Sequence, residues 1–251
     1  MTAVYFTDTG SGTPLVLLHA FPFDSRMWDP VRDGLSDVVR LITPDLRGFG
    51  RTAAIAAEPS VETLGRDVID LLDDLGLERA VIGGCSMGGY VTMAALRAAQ
   101  DRVSGLLLID TKSSADTDEA KANRLAVAER AEREGIAPWF ADTMLPLLIA
   151  DQSKADDVRA QIEAQEAPTV AWASRAMAAR PDSADTLRAA GVPALVVHGE
   201  LDKLMPLTVA QELADQTGGE LKVLPGAGHM PSIEVPSAFL EAVTPWLADR
   251  A

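Results

Sequence analysis

Short apolar runs alternate along the chain with stretches of helical period, and each run is closely followed by Gly, Pro, His or Asp. The runs Leu15–Leu18, Val39–Thr43, Ala80–Ile82, Leu106–Ile109, Ala194–Val197 and Leu221–Leu224 predict buried strands. Runs without polar alternation suit interior parallel strands, which are covered on both faces. Between them, Leu64, Val68, Leu71, Leu72 and Leu75 fall on one helical stripe, with Ser60 placed to cap its start and Gly76 just past its end. A further helix is predicted from near Met87 through Met93, Ala94 and Leu96, and a last one over Ser237–Leu247, interrupted at Pro245. Strands alternating with helices predict an α/β fold with a mostly parallel central sheet.

The rhythm breaks between about Ser113 and Asp185, which holds amphipathic helix patterns and no convincing strand. The pairs Glu129/Arg133 and Arg130/Glu134 sit four apart and suit a solvated helix face. The chain therefore divides into a core over residues 1–112 and 186–251 and a helical cap inserted at 113–185.

Composition narrows the function. The chain has 251 residues, 47% of them apolar, enough for one large core or at most two small domains. The net charge of −15 repels phosphate backbones and anionic lipid heads, which argues against nucleic-acid and membrane-surface roles. No run approaches the roughly 18 apolar residues a membrane helix needs. With one cysteine, Cys85, no internal disulfide is available, and the N-terminus shows no secretory pattern, so the expected location is cytoplasmic. The sequence does not set an oligomeric state.

The chemistry concentrates at Gly84-Cys85-Ser86-Met87-Gly88-Gly89, directly after one apolar run and directly before a helix pattern. Serine on such a strand–turn–helix corner is held in strained backbone with only small neighbours, its hydroxyl raised at the positive end of the helix. Serine needs a general base. Of the three histidines, His19 and His198 end strands and read as buried structural groups. His229 lies in the glycine-rich Pro225-Gly-Ala-Gly-His-Met-Pro loop after the last strand, where it can reach Ser86. The carboxylate that orients the base is assigned to Asp202, with Asp110 and Glu200 as rivals near the same sheet edge. Oxyanion donors are the backbone N–H groups of Met87 and Phe21, since Pro22 has none to give. Cys85 is expected to pack rather than react, and Arg47 to brace loops. No metal-ligand spacing and no phosphate-binding Gly-rich loop is found, so neither metal nor cofactor is expected.

These blocks, together with His19-Ala-Phe-Pro, Asp45-Leu-Arg-Gly-Phe-Gly, His198-Gly-Glu-Leu-Asp and Gly226-Ala-Gly-His, resemble the α/β-hydrolase superfamily over nearly the whole chain. Within it the chain is similar to small bacterial carboxylesterases, cofactor-free haloperoxidases (perhydrolases) and 3-oxoadipate enol-lactonases. The resemblance implies Ser86, Asp202 and His229 as the triad, Phe21 and Met87 as the oxyanion hole, and a cap over the site. One departure is Ala20, where the family usually has glycine. Serine rather than aspartate at position 86 disfavours dehalogenase and epoxide hydrolase chemistry.

The expected function is hydrolysis of small carboxylic esters through an acyl-enzyme, with peracid formation as a side activity. The expected partner is a small-molecule ester or lactone. The alternatives are an enol-lactonase or C–C bond hydrolase of aromatic catabolism, and, on the same fold, a non-catalytic ligand sensor. Trp28, Trp139, Phe140, Met144 and Trp172 are the candidate pocket residues, for a mainly apolar substrate. A dicarboxylic lactone would need a cation there, and the candidates are Lys112 at the edge of the insertion and Lys121, Arg124 and Arg175 within it.

Overall fold

The computed structural model describes residues 4–53 and 57–250. Its strands are β1 (Phe6–Thr9), β2 (Pro14–Leu18), β3 (Arg40–Pro44), β4 (Ala80–Cys85), β5 (Val103–Ile109), β6 (Ala194–Gly199) and β7 (Glu220–Leu224). They form one sheet in the order β1-β3-β2-β4-β5-β6-β7. All neighbours are parallel except β1, which runs antiparallel to β3 from Phe6 opposite Pro44 to Thr9 opposite Leu41. Each predicted apolar run is a strand, and Leu15–Leu18, Leu106–Ile109 and Leu195–Val197 are almost wholly shielded from solvent. β1 is an addition to the sequence expectation.

The helices are α1 (Asp29–Ser36), α2 (Val61–Asp74), α3 (Met87–Ala98), α4 (Asp118–Glu134), α5 (Trp139–Leu148), α6 (Ala155–Glu163), α7 (Ala167–Ala178), α8 (Ala184–Arg188), α9 (Leu207–Thr217), α10 (Pro231–Glu234) and α11 (Pro236–Ala248). α1 packs on α11, while α2, α3, α8 and α9 pack in succession. On α2, Ser60 accepts the Glu62 N–H and Gly76 closes the C-terminal side with φ +64°, a conformation that suits glycine. α11 runs through Pro245 without interruption, contrary to expectation. The proline lies in its last turn, where the missing N–H removes a single hydrogen bond.

Helices α4 to α7 lie between β5 and β6, with α4 against α7 and α5 against α6. The two ends of this excursion meet where the Ser183 N–H donates to the Ser113 carbonyl at 2.9 Å. α8, just beyond, already packs on α3 and α9. The parallel register aligns Cys85 with Ile109, Ile109 with Val197, and Gly199 with Leu224. The residues that follow these strands therefore gather at one carboxyl-terminal edge, the usual ligand edge of an open α/β sheet.

Candidate active site

Ser86 sits between β4 and α3 with φ +52° and ψ −109°, a backbone conformation that serine rarely adopts. The corner is tight. A Cβ on Gly84 would lie 2.3 Å from the Gly88 backbone, and one on Gly88 would lie 2.3 Å from the Leu18 carbonyl oxygen. Around it, Ser86 N–H donates to the Ile109 carbonyl at 2.9 Å and Thr111 Oγ1 donates to the Ser86 carbonyl at 2.8 Å. The Ser86 side chain opens on a cavity of about 380 Å³, and His229 lines the same cavity.

The His229 ring is buried and its Nδ1–H donates to Asp202 Oδ2 at 2.7 Å. Asp202 Oδ1 accepts the N–H groups of Leu204 and Met205 at 2.7 and 3.0 Å. Burial pushes the Asp202 carboxyl upward, but the His229 hydrogen bond and charge and these two backbone donors together hold it below its ordinary value. It therefore stays anionic beside the imidazole. His229 Nε2 is buried and has no partner among the described residues. An imidazole held this way can accept a proton at Nε2 and return it.

Of the rival carboxylates, Asp110 lies beside Asp202 and Glu200 lies apart from it. Asp110, with φ +40°, accepts the Gly199 N–H at 2.8 Å and stands 3.3 Å from His198 Nδ1. Burial first, and the nearby Asp202 charge next, push the Asp110 carboxyl well above its usual range, which favours its neutral form. Glu200 is exposed and accepts the Gly226 N–H at 3.1 Å, bracing the loop that leads to His229. Asp110, His198 and Asp202 offer ligand atoms within 4.8 Å of one another, but both oxygens of Asp202 are already engaged in hydrogen bonds. Burial lowers the affinity of His198 for a proton, so it too stays neutral.

The backbone N–H groups of Phe21 and Met87 have no acceptor among the described residues. His19 organises the first of these. Its Nδ1 donates to the Ala20 carbonyl at 2.9 Å and its Nε2 accepts the Leu46 N–H at 2.9 Å, a neutral ring stitching two loops together. Burial keeps it neutral by lowering its proton affinity. Ala20 has no positive φ, so alanine costs no strain where glycine is usual. Arg47 pairs with Asp67 of α2 at 2.9 Å through Nε, tying the β3–α2 loop down. Cys85 Sγ faces the His229 carbonyl at 3.6 Å in full burial, and burial raises its thiol well above the ordinary range.

Of the candidate pocket residues, Phe140 and Met144 line the cavity. The expectation for three tryptophans is corrected. Trp28 is fully buried in the core beside Phe239, at 6.3 Å between ring centroids. Trp139 turns outward, its Nε1 donating to the Gly135 carbonyl and its ring under Arg130. Phe140 lines the cavity and its neighbour Trp139 does not. Trp172 donates to the Ala57 carbonyl at 2.7 Å, away from the site.

Glu234 has no counterpart in the sequence expectations. It is 7% exposed, yet its Oε1 accepts the N–H groups of Gly228 and Met230, on either side of His229, at 3.0 and 3.3 Å. Its Oε2 accepts those of Ala150 and Asp151 at 2.6 and 3.0 Å. The His229 N–H itself donates to the Leu148 carbonyl at 3.0 Å. An acidic residue among Met230-Pro-Ser-Ile and Val-Pro is the one signal that marks it.

Comparison with known proteins identifies the family and the fold. A thermophilic esterase from Thermogutta terrifontis, with malate bound, superposes with a TM-score of 0.93 at 39% identity, covering 98% of this chain and 93% of that one. A putative non-heme chloroperoxidase from Synechocystis sp. is 26% identical, over 90% of this chain and 88% of its own. The 3-oxoadipate enol-lactonase 1 of Acinetobacter baylyi is 27% identical, over 90% of this chain and 85% of its own. No helix among the described residues is long and apolar enough to cross a membrane. The family model described as "Alpha/beta hydrolase family" matches residues 15–242, and the chain belongs to that family.

Proposed function

We propose that this protein is a serine hydrolase of small carboxylic esters and lactones, with Ser86 as nucleophile, His229 as base and Asp202 as its orienting carboxylate. The observation that carries the reading is the 2.7 Å bond from His229 Nδ1 to Asp202 Oδ2, which leaves Nε2 free beside the cavity that Ser86 lines. His229 takes the Ser86 proton as Oγ attacks the carbonyl carbon, and the imidazolium that forms is stabilised by Asp202. The oxyanion is received by the unengaged N–H groups of Phe21 and Met87. His229 then protonates the leaving alcohol. Water, activated by the same base, cleaves the acyl-enzyme and restores Ser86. Peroxide in place of water yields a peracid, which monochlorodimedone bromination in acetate would detect.

In this reading helices α4 to α7 form the cap, bounded by the Ser113–Ser183 contact, and supply Phe140 and Met144 to the substrate wall. The test is Ser86→Ala on short 4-nitrophenyl esters. Turnover should fall by about a thousandfold or more with the thermal transition retained. Unchanged hydrolysis would overturn the assignment.

A further inference from the structure

The wall of the Ser86 cavity is apolar around Phe21, Phe140, Met144 and Leu147, but one side of it is charged. Lys112, Asp116 and Arg124 line that side. The other two cations of the insertion considered from sequence lie elsewhere. Arg175 pairs with Glu132 and Lys121 with Asp118.

Asp116 does not neutralise its neighbours. Its side chain is 1% exposed and is gripped from behind by the buried Arg180, Nη1 to Oδ2 at 2.8 Å and Nη2 to Oδ1 at 2.9 Å. Arg180 in turn lies over the Tyr90 ring, 3.9 Å from its centroid. This two-pronged pairing already satisfies the carboxylate. Arg124 reaches Asp116 through Nε at 2.6 Å and touches the Met177 sulfur, a weak acceptor, through Nη1 at 3.3 Å. Its Nη2 has no partner among the described residues. Lys112 Nζ stands 3.2 Å from Asp116 Oδ1, its side chain 20% exposed. Asp116 is the one carboxylate among the described residues that line the cavity, against two cations on the same wall and a third behind it.

A surplus of positive charge on the wall of a half-enclosed apolar cavity is a site for an anion, and more so in a chain whose net charge is −15. The planar fork of Arg124, with donors left over, suits a carboxylate. We propose that the substrate carries a free carboxylate, separate from the bond that is cleaved, which Arg124 and Lys112 hold while Ser86 attacks the ester. This rests on the serine-hydrolase reading and narrows it to anionic esters and lactones.

The test compares two matched pairs, one with the carboxylate on the acyl half and one with it on the alcohol half. The pairs are mono-4-nitrophenyl glutarate against its methyl ester, and 4-acetoxybenzoate against methyl 4-acetoxybenzoate. Each rate is divided by that of alkaline hydrolysis. In at least one pair kcat/KM should favour the anion by about tenfold or more, the scale of a charge-assisted contact. Arg124→Met and Lys112→Met should each lower that ratio severalfold, chiefly through KM, and Arg124→Lys should restore part of it. Lys112→Met leaves the Arg180–Asp116–Arg124 contacts in place, so it serves if Arg124→Met does not fold. Preference for the neutral member in both pairs, or a ratio unmoved by both variants, would overturn the proposal. If no ester is turned over, the hydrolase reading fails, and calorimetric titration of Ser86→Ala protein with glutarate decides the carboxylate site alone. Saturable binding weakened by Lys112→Met supports it, and no binding refutes it.

Discussion

Glu234 and Ala150 are joined by a 2.6 Å hydrogen bond from the Ala150 N–H to Oε2, which ties the segment after α5 to the loop that carries His229. The other oxygen of the same carboxylate serves Gly228 and Met230. One buried side chain thus sets the position of the imidazole relative to the helices above it.

Glu234→Gln replaces one accepting oxygen with an amide NH2 aimed at backbone donors. Buried N–H groups are left unsatisfied, at a cost of about 1–3 kcal/mol. Denaturant unfolding should report a loss of that size, and kcat should drop more than KM changes. A variant as stable and active as the parent would remove Glu234 from the support of His229.

Asp202→Asn should cost far more activity than Asp110→Asn. The first amide cannot stabilise an imidazolium and favours the wrong tautomer of His229, an effect on the order of ten-thousandfold in kcat in the serine protease precedent. The second replaces an acid whose neutral form the site favours, and asparagine tolerates the positive φ at that position. Ester hydrolysis by the two purified variants separates the roles. Comparable losses would make Asp110 a partner in the proton relay.

Asp110 also predicts a pH dependence. Its native affinity for a proton exceeds that of the unfolded chain, so the folded state binds more protons at neutral pH. Stability is then eroded as pH rises above the ordinary carboxylate range. Asp110→Asn should melt close to the parent near pH 4 and above it at pH 7.5. A melting difference that stays constant, or shrinks, between those pH values would contradict the raised proton affinity.

Cys85 should resist alkylation. It is buried, and burial keeps it in the thiol form. Iodoacetamide at pH 8 should leave its mass unchanged in the native protein and modify it in urea, with esterase activity preserved in the first case. Rapid native labelling would require the β4–α3 corner to open.

The parallel strands were legible because continuous runs of Leu, Val and Ile leave few other options at that length. β1 was not. It reads Phe-Thr-Asp-Thr, an edge strand with one neighbour, half wet, and so without an apolar run. Ser86 and His229 were visible because glycines crowd around them for steric reasons that survive in one dimension. Which aromatic of a helix faces the cavity is a matter of phase and of neighbours, as Trp139 and Phe140 demonstrate. The Arg180–Asp116 pair spans 64 positions and left no local mark.

Among the described residues, the hydrogen bonds that tie the insertion to the His229 loop use main-chain atoms of the insertion, namely the Leu148 carbonyl and the Ala150 and Asp151 amides. Any amino acid supplies a carbonyl, and any but proline an amide. The tie between the insertion and the His229 loop therefore does not depend on which side chains stand at positions 148, 150 and 151, proline at 150 or 151 excepted.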